Sequence, residues 1–504
     1  MTGVTTPDRP SRAAGLAARV RSADAGGWLT TLAVTGVAAA MRLPNLGRPS
    51  TLVFDETYYV KDAWTLLNQG YESRWPDDFD ASFEAGDVHG YLDEPSYVVH
   101  PPMGKWVIAA GLRLLGAQTP VGWRLGVAIA GLLTVLLVVR IARRLLGSTA
   151  LGAVAGLTVA LDGLAIVTSR MALLDGVLAF FVVAAFAALL LDRDRTRRGP
   201  GEPSGWLRLR PWRLAAGGLL GLAVATKWSG VWFVVAFGLL AVAWDATARH
   251  RADEPRWWAR ALLRDAPPAF VAIVVVSAAS YLGSWFAWFR SPEAWGRQWA
   301  ENLPESWVPS ALRSLWHYHQ QVWQFHTSLS AEHPYATNPA GWLVQWRPTS
   351  FFYHSSEEDG VTCAAEQCSQ AVTSLGNPLI WWLATLAVVA AVWWAVRRRD
   401  GVAIVVLVGL AAGWLPWFAY PDRPTFTFYA VVILPWLAIC LAWAVRGLLA
   451  WSRDDPVRRA RVIAALVIAL VLVVAVSLFF MPVWTAQPIP FRQWQIRQWL
   501  PNWI

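Results

Sequence analysis

The chain of 504 residues is 56% hydrophobic and only 15% charged, and it contains 34 Trp. So little polar surface excludes a soluble globular protein of this length and requires solvation by lipid. The net charge of +9 does not point to nucleic acid, because the basic residues sit in short clusters directly after apolar stretches, as cytoplasmic loops do.

Residues 1–26 are polar and basic, with Arg9, Arg12, Arg19 and Arg21 ahead of the first apolar run. They read as a disordered cytoplasmic tail. A signal peptide cleaved at Ala38 to Ala40 is the competing reading, and the many later apolar stretches favour a retained anchor helix. After a polar segment ending at His100 comes an apolar piece from Met103 to Gly116, about fourteen residues long and interrupted by Lys105 and Arg113, where a spanning helix needs roughly twenty. It is therefore expected to lie flat on the outer surface. That placement puts the clusters Arg140/Arg143/Arg144, Arg193 to Arg198, Arg249 to Arg256, Arg397 to Arg399 and Arg446 to Arg461 in the cytoplasm, whereas a spanning piece would turn all of them outward.

The expectation is an all-α polytopic membrane protein with about eleven transmembrane helices. They fall near 27–44, 122–140, 149–168, 171–191, 212–227, 229–246, 267–288, 377–396, 402–419, 425–445 and 461–480, with the N-terminus cytoplasmic and the C-terminus extracytoplasmic. The spans at 122 and 212 are short and depend on terminal Arg and Lys side chains snorkelling to the interface. Residues 27–504 form one membrane domain with two long outer loops, 48–121 and 289–376. The second carries Trp295, Trp299, Trp307, Trp316, Trp323, Trp342 and Trp346. Such a density of Trp reads as interfacial amphipathic helices, or as a wall holding a lipid-linked or peptide substrate. Interfacial helices are thus expected in the first and fourth outer loops. Cys363 and Cys368 lie in a polar stretch compatible with one disulfide in an oxidising space.

Asp55-Glu56 follows the first span closely and is a candidate general base, since burial against aromatic rings raises a carboxyl pKa. A solvated acidic turn or a helix N-cap is the plainer alternative. His100-Pro101-Pro102-Met103-Gly104-Lys105 opens the interfacial helix, and its prolines fix the direction in which Lys105 emerges. Lys61, Lys105 and Lys227 are the only three lysines, so a retained Lys is a marked choice. Lys105, Arg124, Lys227 and Arg423 are all expected at the outer surface, either as snorkelling anchors or as a phosphate site. His317, His319, His326 and His333 are interleaved with Trp and Tyr and read as an interfacial helix rather than a ligand set, so no metal is assigned.

Asp55-Glu56 followed by His100 to Lys105 resembles the protein O-mannosyltransferases, which use polyprenyl phosphate mannose as donor. Further matching segments are Arg170-Met171-Ala172-Leu173-Leu174-Asp175, Ala225-Thr226-Lys227-Trp228-Ser229-Gly230, His333-Pro334-Tyr335 and Arg423 to Pro435. The likeness runs in order over nearly the whole chain. It implies the GT-C fold, a bundle of spanning helices with the active site in its outer loops. Eukaryotic members carry a β-trefoil MIR domain in the large loop after the seventh span, and 289–376 is too short for one beyond its interfacial helices, so the chain looks like the bacterial form; its Ala- and Arg-rich, Lys-poor composition suggests the actinobacterial type.

The resemblance implies that Asp55 takes the proton of an acceptor Ser or Thr hydroxyl as it attacks the anomeric carbon, with inversion and release of polyprenyl phosphate. Glu56 would orient Asp55 or the acceptor. Lys105, Arg124, Lys227 and Arg423 would stabilise the leaving phosphate, and His100, Arg170, Asp175, His333 and Tyr335 would bind substrate. No cofactor is expected: a lipid-phosphate leaving group needs no nucleotide, and no Gly-rich phosphate loop is present. The implied partners are polyprenyl phosphate mannose, Ser/Thr-containing secreted proteins and the plasma membrane, with a protein translocation channel as a candidate. Two alternatives stand beside this reading. One is a related GT-C enzyme moving another sugar to a lipid or glycan. The other is a transporter, which needs ionisable residues at mid-bilayer depth, for which Asp162 and Asp175 are the candidates; the lack of an internal repeat weakens it.

Overall fold

The structure, a computed structural model, describes residues 24–197 and 210–503. The expected cytoplasmic tail therefore lies almost wholly outside the described residues, as does Arg198. Helix α1 (Ala25–Arg42) begins at Asp24, whose carboxylate accepts the Gly27 N–H at 3.2 Å. Residues 48–119 contribute α2 (Glu56–Gln69) and α3 (Met103–Leu115). Next come α4 (Pro120–Leu146), opened by a Thr119 cap and a proline in its first turn, then α5 (Thr149–Leu161) and α6 (Gly163–Arg170). Asp24 also receives Arg140 and Arg143 at 2.9 and 2.6 Å, fastening the start of α1 to the far end of α4.

The rest of the bundle is α7 (Leu174–Arg197), α8 (Pro211–Val224), α9 (Val231–Arg251), α10 (Trp257–Ser284), the loop helix α11 (Ser310–Ser328), α12 (Pro378–Arg398), α13 (Gly401–Trp414), α14 (Leu434–Trp451) and α15 (Pro456–Trp484). The most hydrophobic stretch of α7 is 78% buried and that of α15 only 11%, so α7 is the central post and α15 faces outward. At the Arg-rich end the charges are paired: Asp192 and Asp245 hold Arg210 and Arg213, and Arg249 bridges Asp265 and Glu254.

Among the described residues, eight helices are long and apolar enough to cross a membrane, or nine if the bent pair α5 and α6 counts as one span. Two of the expected spans fall short. In α1 the glycines and threonines dilute the apolar content, and α8 has 14 residues, about 21 Å of helix against roughly 30 Å of hydrocarbon. Another starts late: the stretch expected to open a span at 425 forms a 3₁₀ turn over Thr427–Val432, and regular helix begins only at Leu434. The 13-residue α3 is likewise too short to cross. It packs backbone to backbone on α4, where a Cβ on Gly126 would lie 2.0 Å from the Val107 carbonyl.

The all-α expectation is corrected by a small antiparallel sheet. β1 (Ser350–Ser355), β2 (Cys368–Thr373) and β3 (Ile489–Pro490) stand in that order and join the 289–376 segment to the C-terminal segment. A disulfide between Cys363 and Cys368 closes the turn that leads into β2. The β-prone run Ser-Phe-Phe-Tyr-His-Ser is the signal that a search for amphipathic helices passes over. The 60° bend between α5 and α6 falls at Asp162. Its buried carboxylate accepts Ala165 N–H, Asn377 N–H and the Trp381 indole N–H at 3.1, 2.9 and 2.8 Å. A carboxylate so occupied is a structural joint, and the transporter reading loses it as a path residue.

Candidate active site

Phe54 adopts φ +53°, a left-handed conformation unusual for a bulky residue. This turn sets Asp55 at the start of α2, with Glu56 as the first helical residue. The two carboxylates then part company. Glu56 is fully buried and accepts from Val53 N–H at 3.0 Å, Ala172 N–H at 2.7 Å, Arg124 Nε at 2.8 Å and Arg124 Nη2 at 2.7 Å. Arg124, equally buried, donates further to the carbonyls of Leu46, Pro49 and Thr51 at 3.3, 2.7 and 3.0 Å. All five guanidinium hydrogens are thereby engaged.

Asp55 has one side-chain partner, the Tyr59 hydroxyl, which donates to it at 3.1 Å from one helical turn further along α2. Burial pushes the Asp55 carboxyl up, opposed by the Lys227 ammonium and by the Tyr59 hydrogen bond. Lys227 is delivered by the break between α8 and α9: its ammonium donates to both oxygens of Asp175, 2.9 Å each, and lies 4.4 Å from the centre of the Tyr429 ring. A narrow crevice lined by Asp175, Ser229, Trp232, Phe233, Trp417 and Tyr429 reaches this pair.

His100 flanks the group, its ring 6.0 Å from Tyr59 and 5.6 Å from His326. Burial first, then Lys227 and His326, holds His100 well below the ordinary histidine range, and burial with Arg423 brings His326 down to about 4; both are neutral at pH 7. Arg423 donates to the His326 carbonyl at 2.7 Å and to its Nδ1 at 3.2 Å. Arg423 Nε and His100 Nδ1 are buried with no hydrogen-bond partner among the described residues. On the other flank an aromatic wall is built from Phe54, Phe351, Phe426 and Phe428, and His333 lies against Phe426 at 4.9 Å with Tyr335 beyond it.

Comparison with known proteins finds the dolichyl-phosphate-mannose-protein mannosyltransferase family over residues 32–282, and the C-terminal four-transmembrane region of protein-O-mannosyltransferase over 311–503. The polyprenol-phosphate-mannose–protein mannosyltransferase of Mycolicibacterium smegmatis is 38% identical over 95% of this chain and 93% of its own length. The chain belongs to this family. Its relative of the same name in Corynebacterium glutamicum is 34% identical over 90% of this chain and 88% of its own. The fold is that of the S. cerevisiae Pmt1–Pmt2 complex bound to the sugar donor, at a TM-score of 0.75 and 15% identity, covering 95% of this chain and 93% of that one. The chain is a multi-span membrane glycosyltransferase.

In this transferase the residues singled out by sequence divide into two sets. Asp55, His100, Asp175, Lys227, Arg423, His333 and Tyr335 surround one region. Glu56, Arg124, Lys105 and Arg170 are fastened away from it. Lys105, 1% exposed, is paired with Glu72 and lies 3.7 Å from Asp62. Arg170 donates to the carbonyls of Arg42, Pro44 and Asn45, the last two at 2.9 and 2.7 Å. Lys105 and Arg124, expected on a phosphate, and Arg170, expected on substrate, are ion-paired or hydrogen-bonded within the fold, with Arg170 Nε left without a partner among the described residues. Sequence reasoning did not single out Tyr59 or Tyr429, and it placed His326 on an interfacial helix without linking it to His100 and Arg423. Only Tyr59 carried a signal, its i+4 spacing from Asp55. His317 stacks on Trp299 at 3.9 Å and His319 is bound to Tyr281 Oη and the Leu315 carbonyl.

Proposed function

We propose that the chain transfers mannose from polyprenyl phosphate mannose to Ser or Thr hydroxyls of secreted or translocating proteins at the extracytoplasmic face of the plasma membrane, with inversion at the anomeric carbon. The observation that carries the reading is the placement of Asp55, a half-buried carboxylate whose one side-chain hydrogen bond among the described residues comes from Tyr59, beside the ion pair of Lys227 and Asp175. The names and coverage of the relatives supply the sugar, the lipid phosphate and the protein acceptor.

In this mechanism the acceptor oxygen forms its bond to C1 as the bond from C1 to the phosphate oxygen breaks. The hydroxyl proton passes to Asp55, whose raised pKa makes it a stronger base than an exposed carboxylate. The electron pair of the broken bond leaves with polyprenyl phosphate. Lys227 and Arg423 meet the charge that develops there. Asp175 holds the Lys227 ammonium in place. A single displacement needs one base and no covalent sugar–enzyme intermediate.

The topology that goes with it has eleven spans, α1 and α8 included, with the N-terminus inside, the C-terminus outside and α3 lying on the outer leaflet. The basic clusters and the inability of α3 to span support it. Acceptors arriving through a protein translocation channel would meet the site on the side where Asp55 lies. Membranes carrying Asp55→Asn, supplied with radiolabelled polyprenyl phosphate mannose and a Thr-containing peptide, test the chemistry. Loss of most transfer is expected, and undiminished transfer would remove Asp55 from the role of base. Labelling of a cysteine introduced at residue 118 from outside intact cells tests the topology. Protection there, with reactivity at residue 146, would invert it.

A further inference from the structure

The sheet order leaves β1 as an open edge next to the candidate site. Ser355, at the end of β1, donates its N–H to the Asp359 carboxylate at 2.9 Å and accepts the Val361 N–H on its carbonyl at 3.2 Å. Both groups thus point away from β2. In an antiparallel ladder, alternate residues direct their backbone groups to opposite sides. Tyr353, two residues back and opposite Ala371 in the register, therefore presents its N–H and C=O at the same outer edge. Among the described residues no hydrogen bond from outside the ladder reaches either group.

Sheet edges in natural proteins are usually blunted by charges, bulges or covering segments, because an open edge pairs with any extended chain. Here the turn after β1 covers Ser355, a bulge at Phe351 breaks the register with β2 at the other end, and between them Tyr353 remains 38% exposed. The other end of the edge runs into the site. Phe351 stacks on Phe54 at 4.8 Å, and Phe54 precedes Asp55. Two residues of strand cover about 7 Å, so a chain paired at Tyr353 and continuing past Phe351 arrives at the aromatic wall beside the base.

We propose that the outer edge of β1 binds the acceptor polypeptide as an added strand, pairing with the backbone of Tyr353 and leading a Ser or Thr side chain to Asp55. This rests on the transfer reading above and adds how the acceptor is held. The occupant is an extended, unfolded segment: strand addition recognises main chain and leaves alternate side chains free. Such a site selects conformation and takes varied sequences, with the hydroxyl read only at Asp55.

The test uses the intact wild-type enzyme in membranes, a Thr-containing acceptor peptide and a series of the same peptide carrying one backbone N-methyl group at successive positions. Methylation at alternate positions on one side of the Thr is expected to raise KM for the peptide roughly five- to tenfold, with intervening positions near neutral and kcat changed less than twofold, since each blocked position loses one hydrogen bond. Tyr353→Pro, which removes an outward N–H at an edge where proline is tolerated, should raise KM for the parent peptide similarly and leave KM for the lipid donor unchanged. A flat profile across the series, with transfer to the parent peptide intact, would overturn the edge proposal alone. No transfer to the parent peptide would overturn the transfer reading and the edge with it.

Discussion

The two carboxylates that adjoin in the sequence belong to two centres built in opposite ways. Around Glu56 every lone pair and every guanidinium hydrogen of Arg124 has a protein partner, and both side chains are sealed from solvent. Around Asp55 there is one hydrogen bond from Tyr59, a pair of neutral histidines, and two buried nitrogens without partners. A satisfied buried ion pair fixes structure, because disturbing it strands a charge. A site that must exchange a proton and release an anion needs groups with unused capacity. Hydrogen-bond saturation, more than charge, therefore separates Glu56 and Arg124, which hold the loop, from the adjoining Asp55.

Breaking each centre should give distinct signatures. The largest effect is expected at Asp55: the change to Asn should lower mannose transfer by about 10²- to 10⁴-fold while the thermal unfolding midpoint stays put. Arg124→Leu should do the reverse in kind, lowering stability by about 3–5 kcal/mol because Glu56 is left charged and buried. Pairing it with Glu56→Leu should restore much of that loss in a thermal-unfolding assay; a double variant no better than the single one would show that the carbonyl contacts of Arg124, not its ion pair, hold the loop. Lys227→Gln should cost on the order of 10²-fold in transfer, with normal membrane expression, whereas Lys105→Gln should act through folding yield.

The smallest and most discriminating change is Tyr59→Phe. Asp55 must be ionised to accept a proton, and its pKa is raised by burial, so kcat/KM should fall as pH decreases through a value above the ordinary carboxylate range. The Tyr59 hydrogen bond lowers that pKa, so removing it should move the acid limb to higher pH. An unmoved limb in the pH–rate profile would separate Tyr59 from the base.

Much of this was legible in the chain itself. The bundle follows from apolar segments that water will not solvate, and most of the expected spans recur as long apolar helices. The brevity of α3 could be counted directly. The stretch 289–376 reads as helices by its Trp content, although β1 and β2 pair locally within it; only the addition of β3, more than a hundred residues later in sequence, lies beyond local reading. Residues with chemical potential were likewise visible as types: Asp55, Lys227 and Asp175 were all named in advance. Their equals Arg124, Lys105 and Arg170 were named with the same logic, and nothing local distinguishes a cation that binds a ligand from one that locks a fold.

Composition and periodicity thus determined the solvent, the class of fold and the pool of candidate groups, because those depend on the partition of side chains between lipid and water and on helix length. The tertiary structure decided which candidates keep a free hydrogen-bonding capacity, that Tyr59, His326 and Tyr429 stand beside them, and that β1 ends against the Phe54 ring next to Asp55. Pairing between groups tens or hundreds of residues apart is a property of the packed chain, and it is that pairing which fixes what a buried charge can still do.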